Sequence, residues 1–217
     1  MNELTIIQRF AVWVLPVIFA ITVHEVAHGW VASRRGDQTA KSLGRLTLNP
    51  IPHIDPIGTV LVPGILLVLG GFIFGWAKPV PVNWRNLNNP KTDMIYVAAA
   101  GPVANLVMAV LWVMILKIGT LLLPTMPFLG APMDYMGQAG LFINLLLMTL
   151  NLLPLLPLDG GRVLTGFLPN RWAYQFSKLE PLGLPILIAL IVMGWLGQIL
   201  GPPVFFLQKS LLALFGL

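Results

Sequence analysis

The residues with the clearest chemistry are His24, Glu25 and His28, set as H-E-x-x-H within "TVHEVAHGW" at residues 22–30. On an α-helix, positions four apart lie one turn above each other on nearly the same azimuth, so both imidazoles can reach one metal ion. Glu25, beside the first imidazole, is placed to act as general base on a water activated by that metal. The plainer reading is a set of satisfied core or pore-lining polar side chains. It is disfavoured because the motif sits inside "FAVWVLPVIFAITVHEVAHGWVA", and ionisable groups in such an apolar run are costly and mark functional sites.

Two imidazoles leave a catalytic zinc one protein ligand short. The chain has no cysteine, so disulfides and thiolate ligands are excluded, and the third ligand must be His, Asp or Glu. The candidates are His53, Asp55, Asp159 and Glu180. Asp159 closes the apolar stretch "NLLPLLPLDGGR", in which Pro154 and Pro157 cannot donate backbone hydrogen bonds and so must distort a helix just before the carboxylate. Gly160 and Gly161 would then let backbones approach closely. His53 and Asp55 lie in a basic loop, where turn structure is the default reading. Asn144 and Asn151, seven apart, share a helical face and suit interhelical hydrogen bonds, while Gly101, Ala104 and Asn105 in "AAAGPVANLVMA" have the spacing of close helix packing.

The elements that must position these residues follow from composition. With 57% hydrophobic and 10% charged residues among 217, and a mean hydropathy of +0.83, the chain reads as an all-α polytopic membrane protein. Apolar segments long enough to cross a bilayer run over about Phe10–Val31, Ile57–Trp76, Met94–Leu116, Ala139–Leu158 and Gly183–Gln208. Gly201, Pro202 and Pro203 divide the last into a span and a shorter helix, giving 5–6 membrane segments. One integral-membrane domain, 1–217, is expected, with a catalytic core over about 10–165 and C-terminal membrane helices over about 183–217. Arg9 before an apolar run resembles a secretory leader, but the run continues through the His-Glu pair without a small-residue cleavage site.

The net charge of +5 lies in short loops flanking the apolar segments, which points to membrane orientation and away from nucleic acid. Basic residues follow the first, second and fourth segments, whereas Gly119–Gln138 contains none, so that loop is expected outside and the others in the cytoplasm. Ile57–Trp76 would then begin and end on one side, the mark of a re-entrant segment, tolerated only where it is buried in protein or lines a water-filled cavity. Beyond it, the alternating prolines of "KPVPVN" predict a short extended or β-hairpin element near 76–84. Its residues Pro79, Val80, Pro81 and Val82 would offer an edge suited to an added peptide strand. Trp76 and Trp84 read as interfacial anchors.

The pairing of "HEVAH" in an early span with "NLLPLLPLDGG" in a later one, with "AGPVAN" between, resembles the site-2 protease family of intramembrane zinc metalloproteases. Within it, "GRLTLNPIPHIDPIGT" and "FGWAKPVPVN" are similar to the compact bacterial branch, and the likeness runs from about Phe19 to Arg162. No PDZ or CBS domain is evident. The resemblance implies one Zn2+ per chain held by His24, His28 and Asp159, with Glu25 as catalytic acid/base and Asn151 positioning a substrate strand. Asn151 and His53 are the candidates for a further oxyanion donor. It also implies transmembrane protein or peptide substrates in the lipid bilayer, a bacterial inner-membrane location and an active site open to the cytoplasm. The competing classes are a transporter or metal-ion channel using the same His/Glu/Asp cluster, and an inactive membrane adaptor of the same fold.

Overall fold

The computed structural model describes residues 5–61 and 78–217. Its regular elements are helices: α1 (Ile6–Arg34), α2 (Thr39–Ser42), α3 (Pro90–Leu122), α4 (Pro127–Asn151), α5 (Asp159–Phe167), α6 (Asn170–Ser177), α7 (Glu180–Val192) and α8 (Trp195–Leu214). Short 3-10 turns occupy Ile51–His53 and Trp84–Asn86, and a π-helical turn Pro56–Leu61. The start of α1 is set by a capping box in which Thr5 Oγ1 accepts from Gln8 N and Gln8 Oε1 accepts from Thr5 N.

α3 and α4 form an antiparallel hairpin joined through 123–126, against which α1, α5 and α8 pack. The hairpin is tight because Gly137 and Gly140 face Leu116 and the Trp112 indole, where a Cβ would overlap them. Ala109 and Val113 of α3, Leu141, Leu145 and Met148 of α4, and Val204 of α8 make the central apolar cluster. Outside it, Val103, Val107, Phe128, Phe205 and Phe206 are exposed, which suits a lipid solvent rather than water.

Two helices, Ile7–Arg34 and Pro90–Leu122, are long and apolar enough to cross a membrane, and the bent pair α6–α7, with 58° between its parts, makes a third if taken as one span. Of the expected 5–6 segments, two or three among the described residues are thus long and apolar enough by themselves. α4 carries Asp134, Gln138, Asn144 and Asn151, which dilute its apolar character. The C-terminal segment breaks at Gly194, not at Gly201-Pro202-Pro203: Gly194 takes φ +73 and caps α7, whereas both prolines lie inside α8. The loop expected over Gly119–Gln138 is mostly helical, since Pro127 takes a first-turn position where its missing N–H costs nothing.

Most of Ile57–Trp76 lies outside the described residues, so the re-entrant segment does too. Its flanks meet, however, because Lys78 N donates to His53 O at 2.9 Å. The β-hairpin expected near 76–84 is not found: residues 78–83 are non-helical and no strand occurs among the described residues. The prolines at 79 and 81 account for this, as neither can donate to a ladder.

Residues 78–86 are instead tied to the end of α1. Fully buried Asp37 accepts from Asn83 N at 2.7 Å, Asn86 Nδ2 at 3.1 Å, Thr39 N at 3.1 Å and Thr39 Oγ1 at 2.5 Å. Burial pushes its carboxyl pKa up, but these four bonds outweigh that and hold it below the ordinary carboxylate range. Arg35 Nη1 reaches buried Asp93 at 3.1 Å and Arg35 O accepts from Asn88 N, so the end of α1 and the start of α3 lie together.

Candidate metal centre

The one-turn spacing on α1 brings His24 Nε2 and His28 Nε2 to 3.0 Å, with the rings edge-to-face. Asp159, the first residue of α5, projects Oδ2 to 3.2 Å from His24 Nε2 and 3.4 Å from His28 Nε2. The route to that position is the one the prolines predict. α4 ends at Asn151, the chain turns through 152–158, and Gly160 and Gly161 abut the carbonyls and amides of Leu152–Leu156.

The remaining imidazole nitrogens are committed. His28 Nδ1 lies 2.7 Å from Val97 O, an acceptor only, so Nδ1 carries the proton and Nε2 the lone pair. His24 Nδ1 lies 2.5 Å from the buried Asn105 Oδ1. Two imidazole Nε2 atoms and a carboxylate oxygen then converge, and Asp159 Oδ2 is buried without a hydrogen-bond partner. Three donor atoms gathered this closely are arranged to share one cation. Tetrahedral ligation at zinc–nitrogen distances of about 2.0–2.1 Å separates ligand atoms by about 3.3 Å, and the three observed separations surround that figure. The donor set fits zinc and leaves a fourth position open.

Gly101 of α3 seats against the pair: a Cβ there would lie 2.5 Å from His24 Cε1, 2.5 Å from His28 Nε2 and 2.6 Å from His24 Nε2. The sequence marks this glycine as helix packing, and the structure gives that packing its object, the imidazoles themselves. Glu25 turns to the 78–83 stretch, where its Oε2 accepts the Val80 N–H at 2.7 Å. Val80 comes this near because Gly29, one turn beyond Glu25, offers no Cβ to the Val80 side chain.

The other candidates lie apart from the three ligands. His53 is buried in its 3-10 turn with Nε2 on Thr47 O at 3.0 Å, and Asp55 Oδ1 accepts from Ile57 N and Gly58 N as a turn cap. Glu180 pairs with Arg162 at 3.2 Å. Asn151 Nδ2 donates to Leu147 O on its own helix, and among the described residues no hydrogen bond joins it to the ligands. Of Pro79, Val80, Pro81 and Val82, only Val80 bonds to Glu25, while Arg45 Nη2 holds Lys78 O and Pro79 O. Asn105 is the residue sequence reasoning missed, since its partners lie 81 and 39 positions away.

Comparison with known proteins points to zinc metalloproteases. The profile of peptidase family M50 matches residues 12–126. YwhC of Bacillus subtilis, named as a candidate zinc metalloprotease, is 39% identical over 210 residues that cover 93% of this chain and 90% of YwhC. Rip2 of Mycolicibacterium smegmatis, named in the same way, is 28% identical over 176 residues, 81% of this chain and 64% of Rip2. Rip2 of Mycobacterium tuberculosis H37Rv is 28% identical over 184 residues, 82% of this chain and 67% of its own length. No solved structure matches the chain.

Proposed function

The chain belongs to peptidase family M50, the site-2 protease family, and on that premise we propose that it is a zinc endopeptidase that hydrolyses peptide bonds in or beside transmembrane segments of other proteins. The observation that carries the reading is the convergence of two imidazole Nε2 atoms and an unpartnered carboxylate oxygen within 3.0–3.4 Å. His24, His28 and Asp159 hold the ion. A zinc ion there supplies Lewis-acid polarisation of the scissile carbonyl and lowers the pKa of water.

Glu25 takes the proton from the attacking water and later delivers it to the leaving amine nitrogen. Its Oε2 is held by the Val80 amide, which leaves Oε1 for the proton. Asp159, carried on a helix N-terminus behind a proline-broken turn, is a ligand fixed by backbone rather than by a mobile loop. Asn151 and His53 remain the proposed substrate contacts, and the free groups of residues 79–82 the proposed edge for an unwound substrate strand.

Depth supports an intramembrane bond. His24 lies ten residues before Arg34, so about 15 Å from that end of α1, near half of a hydrocarbon core about 30 Å thick. The exposed apolar side chains support an integral membrane protein with α4 and α8 as further membrane segments. Basic residues crowd the α1 end, which supports an inner-membrane protein entered by water from the cytoplasm. The core over about 10–165 contains every proposed site residue. Among the described residues His24, His28 and Asp159 are the one group of imidazoles and carboxylates close enough to hold a metal ion, and a single compact group favours hydrolysis over an ion path.

The test is Glu25→Gln in detergent with a transmembrane peptide as substrate. Bound zinc with cleavage abolished is expected; zinc-dependent cleavage that persists would overturn the role of Glu25, and ion flux surviving the substitution would favour transport.

A further inference from the structure

A zinc ligand's affinity depends on which imidazole nitrogen keeps the proton, and for His24 that choice is not made by a backbone carbonyl. Its Nδ1 faces a side-chain amide, Asn105, which can present either oxygen or nitrogen. The orientation is settled further away. Asn105 Nδ2 donates to Ala20 O at 3.2 Å and to Asn144 Oδ1 at 2.9 Å, and Asn144 Nδ2 donates to Gly140 O at 2.8 Å.

Ala20 O and Gly140 O can only accept. Turning the Asn144 amide over would set its oxygen against Gly140 O, and turning Asn105 would set its oxygen against Ala20 O. Both asparagines are fully buried, so neither can turn to water instead. The direction therefore propagates one way: Gly140 O orients Asn144, Asn144 and Ala20 O orient Asn105, and Asn105 Oδ1 accepts the His24 Nδ1 proton. The lone pair is left on Nε2, facing His28 and Asp159.

We propose that Asn105 and Asn144 are positioning residues for the metal, a two-amide relay that fixes the His24 tautomer from α4, across α3, to α1. The inference rests on the zinc reading of the centre. Asn144 touches no ligand, yet it sets metal affinity through Asn105. Outer partners of metal-ligating histidines are commonly worth about 10–100-fold in affinity.

The test measures zinc dissociation constants of the full chain in detergent by chelator competition, together with the melting temperature of the metal-free protein and the visible spectrum after Co2+ loading. Asn105→Leu is expected to weaken zinc by about 10–100-fold, and Asn144→Leu by a smaller factor because Ala20 O still restrains Asn105. In the Asn105→Leu background, Asn144→Leu should change zinc affinity no further, as a series relay requires. Asn144→Leu alone carries the test if Asn105→Leu does not fold.

Lower metal-free melting temperatures with wild-type zinc affinity in the single variants would overturn the relay and leave two structural asparagines. Independent, multiplicative losses in the double variant would overturn it as well. His24→Ala and Asp159→Ala separate the two readings. Wild-type protein that binds zinc no better than these controls refutes the metal centre, whereas tight wild-type binding with unaffected asparagine variants refutes only the relay.

Discussion

Replacing Gly101 by alanine tests the α1–α3 contact on which the metal centre depends. An added Cβ would sit 2.5 Å from His24 Cε1, 2.5 Å from His28 Nε2 and 2.6 Å from His24 Nε2, whereas ordinary contact begins at 3.4 Å. The neighbours must therefore withdraw by about 0.9 Å, while metal–ligand distances tolerate only about 0.2 Å. Helix propensity alone predicts the opposite sign, since alanine in a helix interior is favoured over glycine by about 1 kcal/mol. Overpacking costs about 1–3 kcal/mol and wins. Neither imidazole can swing aside cheaply, because each is held through Nδ1, to Asn105 Oδ1 at 2.5 Å and Val97 O at 2.7 Å. Carried through to binding, the overlap corresponds to a loss of about 5- to 150-fold in zinc affinity. Chelator competition on detergent-solubilised Gly101→Ala, with melting of the metal-free chain, reads both outlets for the strain. Gly197→Ala on α8, where an added Cβ meets nothing within 4 Å, is the control. If Gly101→Ala keeps wild-type zinc affinity and wild-type melting together, the close approach of α3 to the imidazoles is wrong.

Three further outcomes are expected. Asp159→Asn keeps the side-chain size but removes the anionic ligand, and zinc titration should show affinity lowered by more than the about 100-fold typical of outer-partner losses. Val80→Pro deletes the N–H bonded to Glu25 Oε2; at about 1.5–3 kcal/mol for a hydrogen bond to a charged group, kcat should fall by about 10–150-fold with zinc content unchanged. Asp37→Ala strands Asn83 N and Thr39 N and should cost about 2–4 kcal/mol, read as a lower melting temperature. Because the folded pKa of Asp37 is lowered, its stabilisation is complete above about pH 4 and is lost as pH falls through the folded value. The melting-temperature gap between wild type and Asp37→Ala should hold from neutral pH to about pH 4 and then narrow; a gap that widens on acidification would contradict the sign.

The centre was more legible in the sequence than the frame around it, for identifiable physical reasons. His24 and His28 declare themselves because helix geometry turns a four-residue interval into a shared face. Asp159 was legible as a candidate because prolines at 154 and 157 must distort a helix just before the carboxylate, which the structure sets at the start of α5. Gly194 was not legible as the break in the last segment, since the Gly201-Pro202-Pro203 run is the stronger local signal, yet α8 carries both prolines within it. The connection between α3 and α4, expected over Gly119–Gln138, shrank to 123–126 because Pro127 and Pro132 lie inside α4. The hydrogen-bonding roles of Asn105, read only as helix packing, and of Asp37 were invisible for a common reason: their partners are brought by tertiary packing from up to 85 positions away, and no local spacing records them.

Asp37 and Glu25 are linked by one short piece of chain, and its length explains the tie. From Glu25 to the end of α1 at Arg34 is nine residues, about 13.5 Å of helix. From Val80, bonded to Glu25, to Asn83, bonded to Asp37, is three residues, which reach about 10 Å when extended. The prolines at 79 and 81 hold the residues before them in extended conformations, so this piece cannot coil short and lose its hold on the carboxylate. A helix in its place would span only about 4.5 Å and could not connect the two anchors. The non-helical backbone is therefore required by the distance between a buried carboxylate at the α1 end and a proposed general base deep in the bundle. The same requirement limits what the piece can offer a substrate. Pro79 and Pro81 have no N–H, Val80 N is committed to Glu25, and Lys78 O and Pro79 O are held by Arg45. Among bonds to described residues, Val80 O, Pro81 O and the N–H and carbonyl of Val82 remain uncommitted. The proposed pairing with an unwound substrate strand would therefore use the 80–82 part of the Pro79–Val82 edge, beside the amide that holds Glu25.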